Sequence, residues 1–284
     1  MLGRLRMDLI SCKEAYKSLS ENIFRRVWWT FPGKGVIDIL RGAPWYSGNA
    51  LEAAIKRILS ERISQQEKDE LIRSGHSPSE ARMRGFGRSS TKTFVCAVID
   101  KSDICERLRT YDTGRNGSAA SCTIWQACRA TSAAPLYFPS IEINDRIYWD
   151  GGMNSNNPIL QVIQEVRSEY GRDAPFEAIV SIGTGKPPRV NPGSHVLSVI
   201  KYAIKEMTST EKKHEEFVSS YPDLEDQYFR LNAEDNLYRV DLADWKRLPQ
   251  VEEIANNYIT SPQGRREILT CAKKLAKRRD TTGN

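Results

Sequence analysis

No stretch of this sequence approaches the roughly 20 consecutive apolar residues needed to cross a bilayer, so any contact with lipid is expected at a surface. Cysteine is sparse, six in 284 residues, with no C-x-x-C pair and no signal-peptide pattern. That argues against a zinc ribbon, a thioredoxin-type centre or a disulfide scaffold, and for reduced thiols in a cytoplasmic protein. The three histidines, His76, His195 and His214, lie far apart in unrelated contexts, which leaves neither a metal set nor a Ser-His-Asp triad. Internal repeats and low-complexity tracts are also missing, which excludes solenoids and disordered arrays.

The formal charge of +6 is unevenly spread. Arg265, Arg266, Lys273, Lys274, Lys277, Arg278 and Arg279 face only Glu267 and Asp280; seven cations against two anions give the last segment +5 and leave the rest near neutral. Such a run reads first as the solvated face of a helix, with attraction to anionic headgroups as the alternative. Nucleic acid is not an expected partner.

Hydrophobic spacing organises the chain. Cys12, Ala15, Tyr16, Leu19 and Ile23 recur at three- and four-residue intervals and predict a helix; Leu51, Ala54, Ile55, Ile58 and Leu59 predict a second between about Asn49 and Ile63. Between them, Trp28 and Trp29 precede a Pro32-Gly33 break, and these rings are expected to pack against the core, with contact at a membrane interface as the alternative. Residues 65 to 90 read as a long polar surface loop with room for one short helix. The apolar runs Thr93 to Ile99 and Phe176 to Ile182 suit strands buried on both faces of a parallel sheet, with a helix from Thr123 to Ala130 between them. Asn157 as N-cap and Pro158 at the first helical position open a further helix, which Gly171 stops. After Pro192 come a helix at Val196 to Met207, strand-like runs at Tyr228 to Leu231 and Leu237 to Val240, and two terminal helices. Alternation of strands and helices argues for an α/β layer structure. The expected division is a main domain over 1–190 and a helical C-terminal extension over 191–284.

Asp150 closes a predicted strand, Arg146 to Trp149, and is followed by Gly151 and Gly152. Taken alone, Asp-Gly is a common turn signal. Gly183-Thr184-Gly185-Lys186 invites a phosphate-loop reading, but Val180 and Pro187 occupy positions where that loop needs glycine and Ser/Thr. Ser132 and Ser181 stand near element ends, where hydrogen-bonding roles are the default.

Three segments together carry a family resemblance. Trp149-Asp150-Gly151-Gly152-Met153-Asn154-Ser155-Asn156-Asn157-Pro158 resembles the DG[GA] element of patatin-like phospholipases. Ala127 to Phe138 is similar to that family's A-x-x-A-[ST]-x-A-x-P-x-x-F segment, and Ser181 to Gly185 to its S-[IL]-G-T-G. Met1 to Leu5 resembles the piece that follows the family's G-x-S-x-G elbow, particularly in fungal members, and Tyr228 to Asn232 a later fungal segment.

The resemblance implies a three-layer α/β/α fold and hydrolysis of phospholipid or acylglycerol esters by a Ser-Asp dyad with Asp150 as base. It implies no metal or organic cofactor, a lipid substrate or membrane surface as partner, and peripheral contact by a cytoplasmic protein. Gly151 and Gly152 would let the backbone pass close to the dyad. This sequence departs from the pattern in two places: no G-x-S-x-G occurs, since Gly75-His76-Ser77-Pro78-Ser79 fails at its last position, and the glycine-rich oxyanion loop is missing. The fold is therefore expected to be truncated, without its first strand and nucleophile elbow. Removing a nucleophile costs about 10⁶ in kcat in serine hydrolases, so the chain as written is expected to be inactive. The alternative is a non-catalytic lipid- or protein-binding pseudoenzyme.

Overall fold

The computed structural model describes residues 1–24, 44–85, 91–102, 104–114, 122–185, 210–233, 237 and 240–281. These form two compact units, Met1–Asn154 and Ser155–Asn284. The boundary expected at residue 190, the helix expected at 196–207 and the tryptophan turn at 28–29 lie outside the described residues.

The first unit opens with a one-turn helix α1 (Leu2–Leu5) and α2 (Leu9–Ile23), capped by the Asp8 carboxylate accepting from the Ser11 N–H. The second helical stripe becomes α3 (Gly48–Arg62), which buries Leu51, Ile55, Ile58 and Leu59 and packs against α2. Where a polar loop with room for one short helix is expected, the chain forms such a helix, α4 (Gln65–Arg73), and a 3₁₀ turn, Pro78–Glu80. Periodicity misses α4 because an ion pair holds it in place of an apolar stripe. Glu67, in its first turn, is buried against the Arg4 guanidinium, which also donates from Nε to the Met83 carbonyl at 3.0 Å.

Four strands make an antiparallel sheet in the order β2-β1-β4-β3: β1 (Phe94–Ile99), β2 (Cys105–Arg109), β3 (Ile141–Ile143) and β4 (Arg146–Asp150). This corrects the parallel pairing expected for the run at 93–99. A central strand covered at Cys96, Ala97 and Val98 loses polar alternation whatever its neighbours' direction. Its direction is set instead by a tight turn, in which Ile99 and Ile104 remain hydrogen bonded at 3.2 Å and Lys101 takes a left-handed φ of 56°. β3 and β4 are joined by two residues, Asn144 and Asp145, both left-handed at φ 50° and 61°, as a type I′ hairpin requires. Helix α5 (Ile124–Thr131) packs across β1, β3 and β4 and starts in a Thr123/Gln126 capping box.

In the second unit α6 (Gly152–Ser155), which begins just before the boundary, leads to α7 (Ile159–Tyr170). Asn157 does not cap α7 as expected: its Oδ1 accepts from the Ser181 hydroxyl at 3.2 Å, so Pro158 stands at the cap and the helix starts one residue later. Gly171 ends it at φ 100°. β5 (Ile179–Ile182) does pair in parallel, with β6 (Tyr228–Leu231), but it is not buried on both faces as expected: Ile179 and Ser181 are buried while Val180 and Ile182 are exposed. Helix α8 (Thr210–Ser220) contributes Phe217 to a core with Ile159, Ile163, Ile179 and Leu224. Two terminal helices, α9 (Leu248–Thr260) and α10 (Pro262–Thr281), follow. Of the strand expected at 237–240, residues 238 and 239 lie outside the described residues; the Val240 N–H donates to the Leu237 carbonyl at 3.1 Å. Among the described residues no helix is long and apolar enough to cross a membrane, and all six cysteines are free.

Arg4→Met strands the Glu67 charge in a buried position and is expected to lower unfolding free energy by about 3–5 kcal/mol in urea titrations. Arg4→Met/Glu67→Met should recover most of that loss; a double variant as unstable as the single one would show that the carbonyl contacts of Arg4 matter more than its ion pair.

Candidate active site

Asp150 is the last residue of β4 and pairs in register with Ala97 of β1, the central strand. Ala97 is fully buried, as is Ala133 just past α5, whose carbonyl accepts the Asp150 N–H at 3.1 Å. Small side chains at both positions let β4 end close against its neighbours. The alanines of the segment 127–138 thus have a packing role: Ala127, Ala130 and Ala133 are all within 1% of complete burial.

Gly151 makes the tightest approach at the site. A Cβ there would lie 2.3 Å from the Cys96 carbonyl oxygen and 2.5 Å from its carbon, distances that backbone atoms cannot yield. The strand end therefore turns only where a side chain is absent. Gly152 acts differently: its N–H donates to Asp150 Oδ1 at 2.6 Å, folding the carboxylate back over the turn that becomes α6. A Cβ at Gly152 would meet that same oxygen at 3.1 Å.

Burial pushes the Asp150 carboxyl up to about 6, against the hydrogen bond from Gly152, which favours the charged form. The group is thus a carboxylate at neutral pH with a proton affinity well above that of an exposed aspartate, near 3.8. Its neighbours on β4 are fixed by their own bonds: the Trp149 indole donates to Asp100 Oδ1 at 2.9 Å, and the buried Tyr148 hydroxyl donates to Glu106 Oε2 at 2.6 Å. Burial also raises the Cys122 thiol, to about 11, so that it is protonated at neutral pH.

The other residues singled out in the sequence have structural partners. Ser181 accepts from Arg230 Nη1 at 2.8 Å while donating to Asn157, and Ser132 is the C-cap of α5. His214 lies 3.0 Å from the Tyr228 hydroxyl and stacks on its ring; His76 is exposed, 3.3 Å from Ser74 Oγ; His195 lies outside the described residues. Gly183 and Gly185 wrap Asn232, which accepts the Gly185 N–H at 2.8 Å, and Lys186 beyond them is outside the described residues. Among the described residues no group of three His, Cys, Asp or Glu could hold a metal ion.

Sequence reasoning missed the contribution of Cys96, whose backbone fits Gly151, and the Arg230 network on Glu211 and Ser181. Only the glycine pair at 151–152 hinted at the first. Nothing local hints at the second, because its partners are separated by up to 49 residues.

A family model described as patatin-like phospholipase matches residues 6–163, more than half of the chain. The chain is 28% identical over 243 residues to a Mus musculus protein named calcium-independent phospholipase A2-gamma. It is 28% identical over 244 residues to the Homo sapiens protein of that name. Each match covers 82% of this chain and spans 28% of the relative's length. Over 133 residues it is 35% identical to phospholipase A I of Arabidopsis thaliana, covering 44% of this chain and 10% of that protein.

Two stability measurements check the site's construction. Gly151→Ala is expected to destabilise the chain by about 3 kcal/mol in urea unfolding, while Gly152→Ala costs about 1 kcal/mol or less. Equal losses would contradict the packing described. The unfolded Asp150 carboxyl ionises near 3.8 and the folded one only near 6, so ionisation costs folding free energy as pH rises through that window, and the cost is complete above pH 6. Asp150→Asn should therefore be more stable than the parent at pH 8, by about 3 kcal/mol in urea unfolding, and near the parent at pH 4. A pH-independent difference would refute the buried-charge account.

Proposed function

Because the chain belongs to the patatin-like phospholipase family, we propose that it is the part of a lipid acyl hydrolase that carries the general base, Asp150. The observation that supports this most directly is a half-buried carboxylate at a strand end, pushed up to about 6 and oriented by the Gly152 N–H. Such a group is ionised at pH 7 yet takes a proton more readily than an exposed aspartate, which suits a base acting on a serine hydroxyl.

The chemistry divides into two steps. Asp150 takes the hydroxyl proton as the serine oxygen bonds to the ester carbonyl carbon; the lipid alcohol then leaves with that proton, and an acyl-serine remains. Water, deprotonated by the same carboxylate, releases the fatty acid and restores the serine. Nothing in the 284 residues has the G-x-S-x-G form, so the nucleophile and the oxyanion donors would come from outside them. Lipid substrate, peripheral contact with a membrane surface and a cytoplasmic setting belong to the same proposal.

The missing G-x-S-x-G also favours a second reading, a non-catalytic lipid- or protein-binding module. Peptide mapping of the native protein by mass spectrometry separates the two by asking whether peptides with a G-x-S-x-G elbow belong to the same polypeptide. On the hydrolase reading they do: that form cleaves phospholipid esters, Asp150→Asn lowers kcat at least about 10³-fold, and the parent's rate falls about tenfold per pH unit below 6. Loss of the hydroxyl alone leaves the 284-residue chain without measurable turnover. A native protein without the elbow, or an elbow-bearing form indifferent to Asp150→Asn, would overturn the hydrolase reading.

A further inference from the structure

Arg129, on α5, is a buried cation that no carboxylate among the described residues holds. Only 4% of the residue is exposed, yet its guanidinium makes a single hydrogen bond, from Nη2 to the Pro139 carbonyl at 3.0 Å. Nη1 is buried without a partner. A guanidinium carries five N–H donors and stays protonated in proteins, so it cannot escape such a position by losing its charge. Burial works against the cation, and the acid that favours it, Glu52, keeps its carboxylate on Lys56 Nζ at 2.8 Å. Elsewhere in the chain Arg4 and Arg230 are also largely buried, but each holds a carboxylate, Glu67 and Glu211. A buried charge left alone is costly, and an unpaired buried donor marks a place where an ion or a water belongs.

The guanidinium lies against the first turn of α3. A Cβ on Gly48 would stand 2.8 Å from Nη2 and 2.8 Å from Pro139 Cγ, so glycine at the first helical position is what admits the arginine. α3 is 15 residues long, and this is the positive end of its dipole. Ser47 caps the helix by accepting from the Ala50 N–H at 3.3 Å, and the Leu51 N–H goes to the Ser47 carbonyl at 3.2 Å. The N–H groups of Gly48 and Asn49 have no partner among the described residues. Ser47 and Asn49 are exposed, so the helix end meets solvent with Arg129 packed behind it. The two sides are tied together: the Trp45 and Tyr46 N–H groups donate to the Leu136 and Tyr137 carbonyls at 2.7 and 2.9 Å.

Free backbone N–H groups, a helix dipole and an unanswered guanidinium all favour negative charge, and together they select an anion. A carboxylate, planar with two oxygens, is matched by a guanidinium alone. Donors that come from a guanidinium and from a helix end approach from different directions, and a tetrahedral oxyanion presents an oxygen to each.

We propose that Arg129 and the N-terminus of α3 form a binding site for a phosphate-class oxyanion. Free phosphate with its soluble monoesters and the phosphodiester of a lipid headgroup share that chemistry. The site does not depend on the hydrolase reading, because binding to the 284-residue chain is measured without turnover.

Isothermal titration calorimetry with inorganic phosphate, at constant ionic strength and near neutral pH, tests it. The parent binds phosphate, and binds acetate at least about threefold more weakly. Arg129→Met weakens phosphate binding at least about tenfold; Arg129→Lys, which keeps the charge and loses the planar fork, falls between. Gly48→Ala, whose Cβ displaces the guanidinium, weakens it at least about threefold. Arg266→Glu/Lys273→Glu on α10, both exposed, leaves the affinity within about twofold, which separates a built site from general basic charge. Phosphate also raises the parent's melting temperature as occupancy rises, and Arg129→Met loses that increment. Should Arg129→Met fail to fold, Arg129→Lys and Gly48→Ala decide in its place.

Two further ligands identify the source. Glycerol 3-phosphate binding like phosphate, with no competition from phosphatidylcholine vesicles, assigns the site to soluble phosphates. Binding of glycerophosphocholine, with competition from those vesicles, assigns it to the lipid headgroup. The proposal is overturned if the parent does not bind phosphate at constant ionic strength, or binds acetate as tightly. Equal affinity in the parent and the Arg129 and Gly48 variants overturns it too, as does loss of binding in the α10 variant alone.

Discussion

The contact between Gly151 and the Cys96 carbonyl governs the first unit more than any other. It brings the end of β4 hard against the middle of β1, beside the Asp150 carboxyl whose burial raises its proton affinity. The same approach puts the Asp150 N–H within reach of the Ala133 carbonyl, tying the strand end to the residues just past α5. Steric exclusion at one glycine, hydrogen bonding at its neighbour and the acidity of the carboxyl are therefore one constraint. A side chain at 151 would loosen all of them together.

The second unit is held by a different kind of interaction. Arg230 on β6 reaches Glu211 at 2.8 Å and Ser181 on β5, and Asn232 joins Glu211 to the glycine loop after β5. Two paired strands alone are marginal in water. Here the pair is backed by the Phe217 core on one side and pinned by the partly buried Arg230–Glu211 ion pair.

Much of this was legible in the sequence wherever a single local signal sufficed. Stripes at helical spacing located α2, α3 and α7, and Gly171 marked a helix end that needs a positive φ. The strand ending at Asp150 and its glycine pair were legible too, because turn chemistry and family pattern coincide there. What failed depended on partners distant in sequence. Helix α4 rests on Arg4, 63 residues from Glu67, and Asn157 gave up its capping role to Ser181, 24 residues on. The direction of β1 was invisible because burial on both faces erases the alternation that distinguishes sheet types. The proton affinity of Asp150 could not be read either, since it arises from burial that only the folded chain sets.

The two-residue hairpin at Asn144 and Asp145 carries a consequence for how this protein can vary. Side chains along β4 alternate between faces, so the side on which the Asp150 carboxylate emerges is decided by the residue count from that turn. Lengthening or shortening the loop by one residue would leave the composition of the site unchanged and present the acid to the opposite side of the sheet. Length at this loop behaves like a reading frame: substitution is confined to residues that tolerate a left-handed φ, and a single insertion or deletion is a frameshift in space.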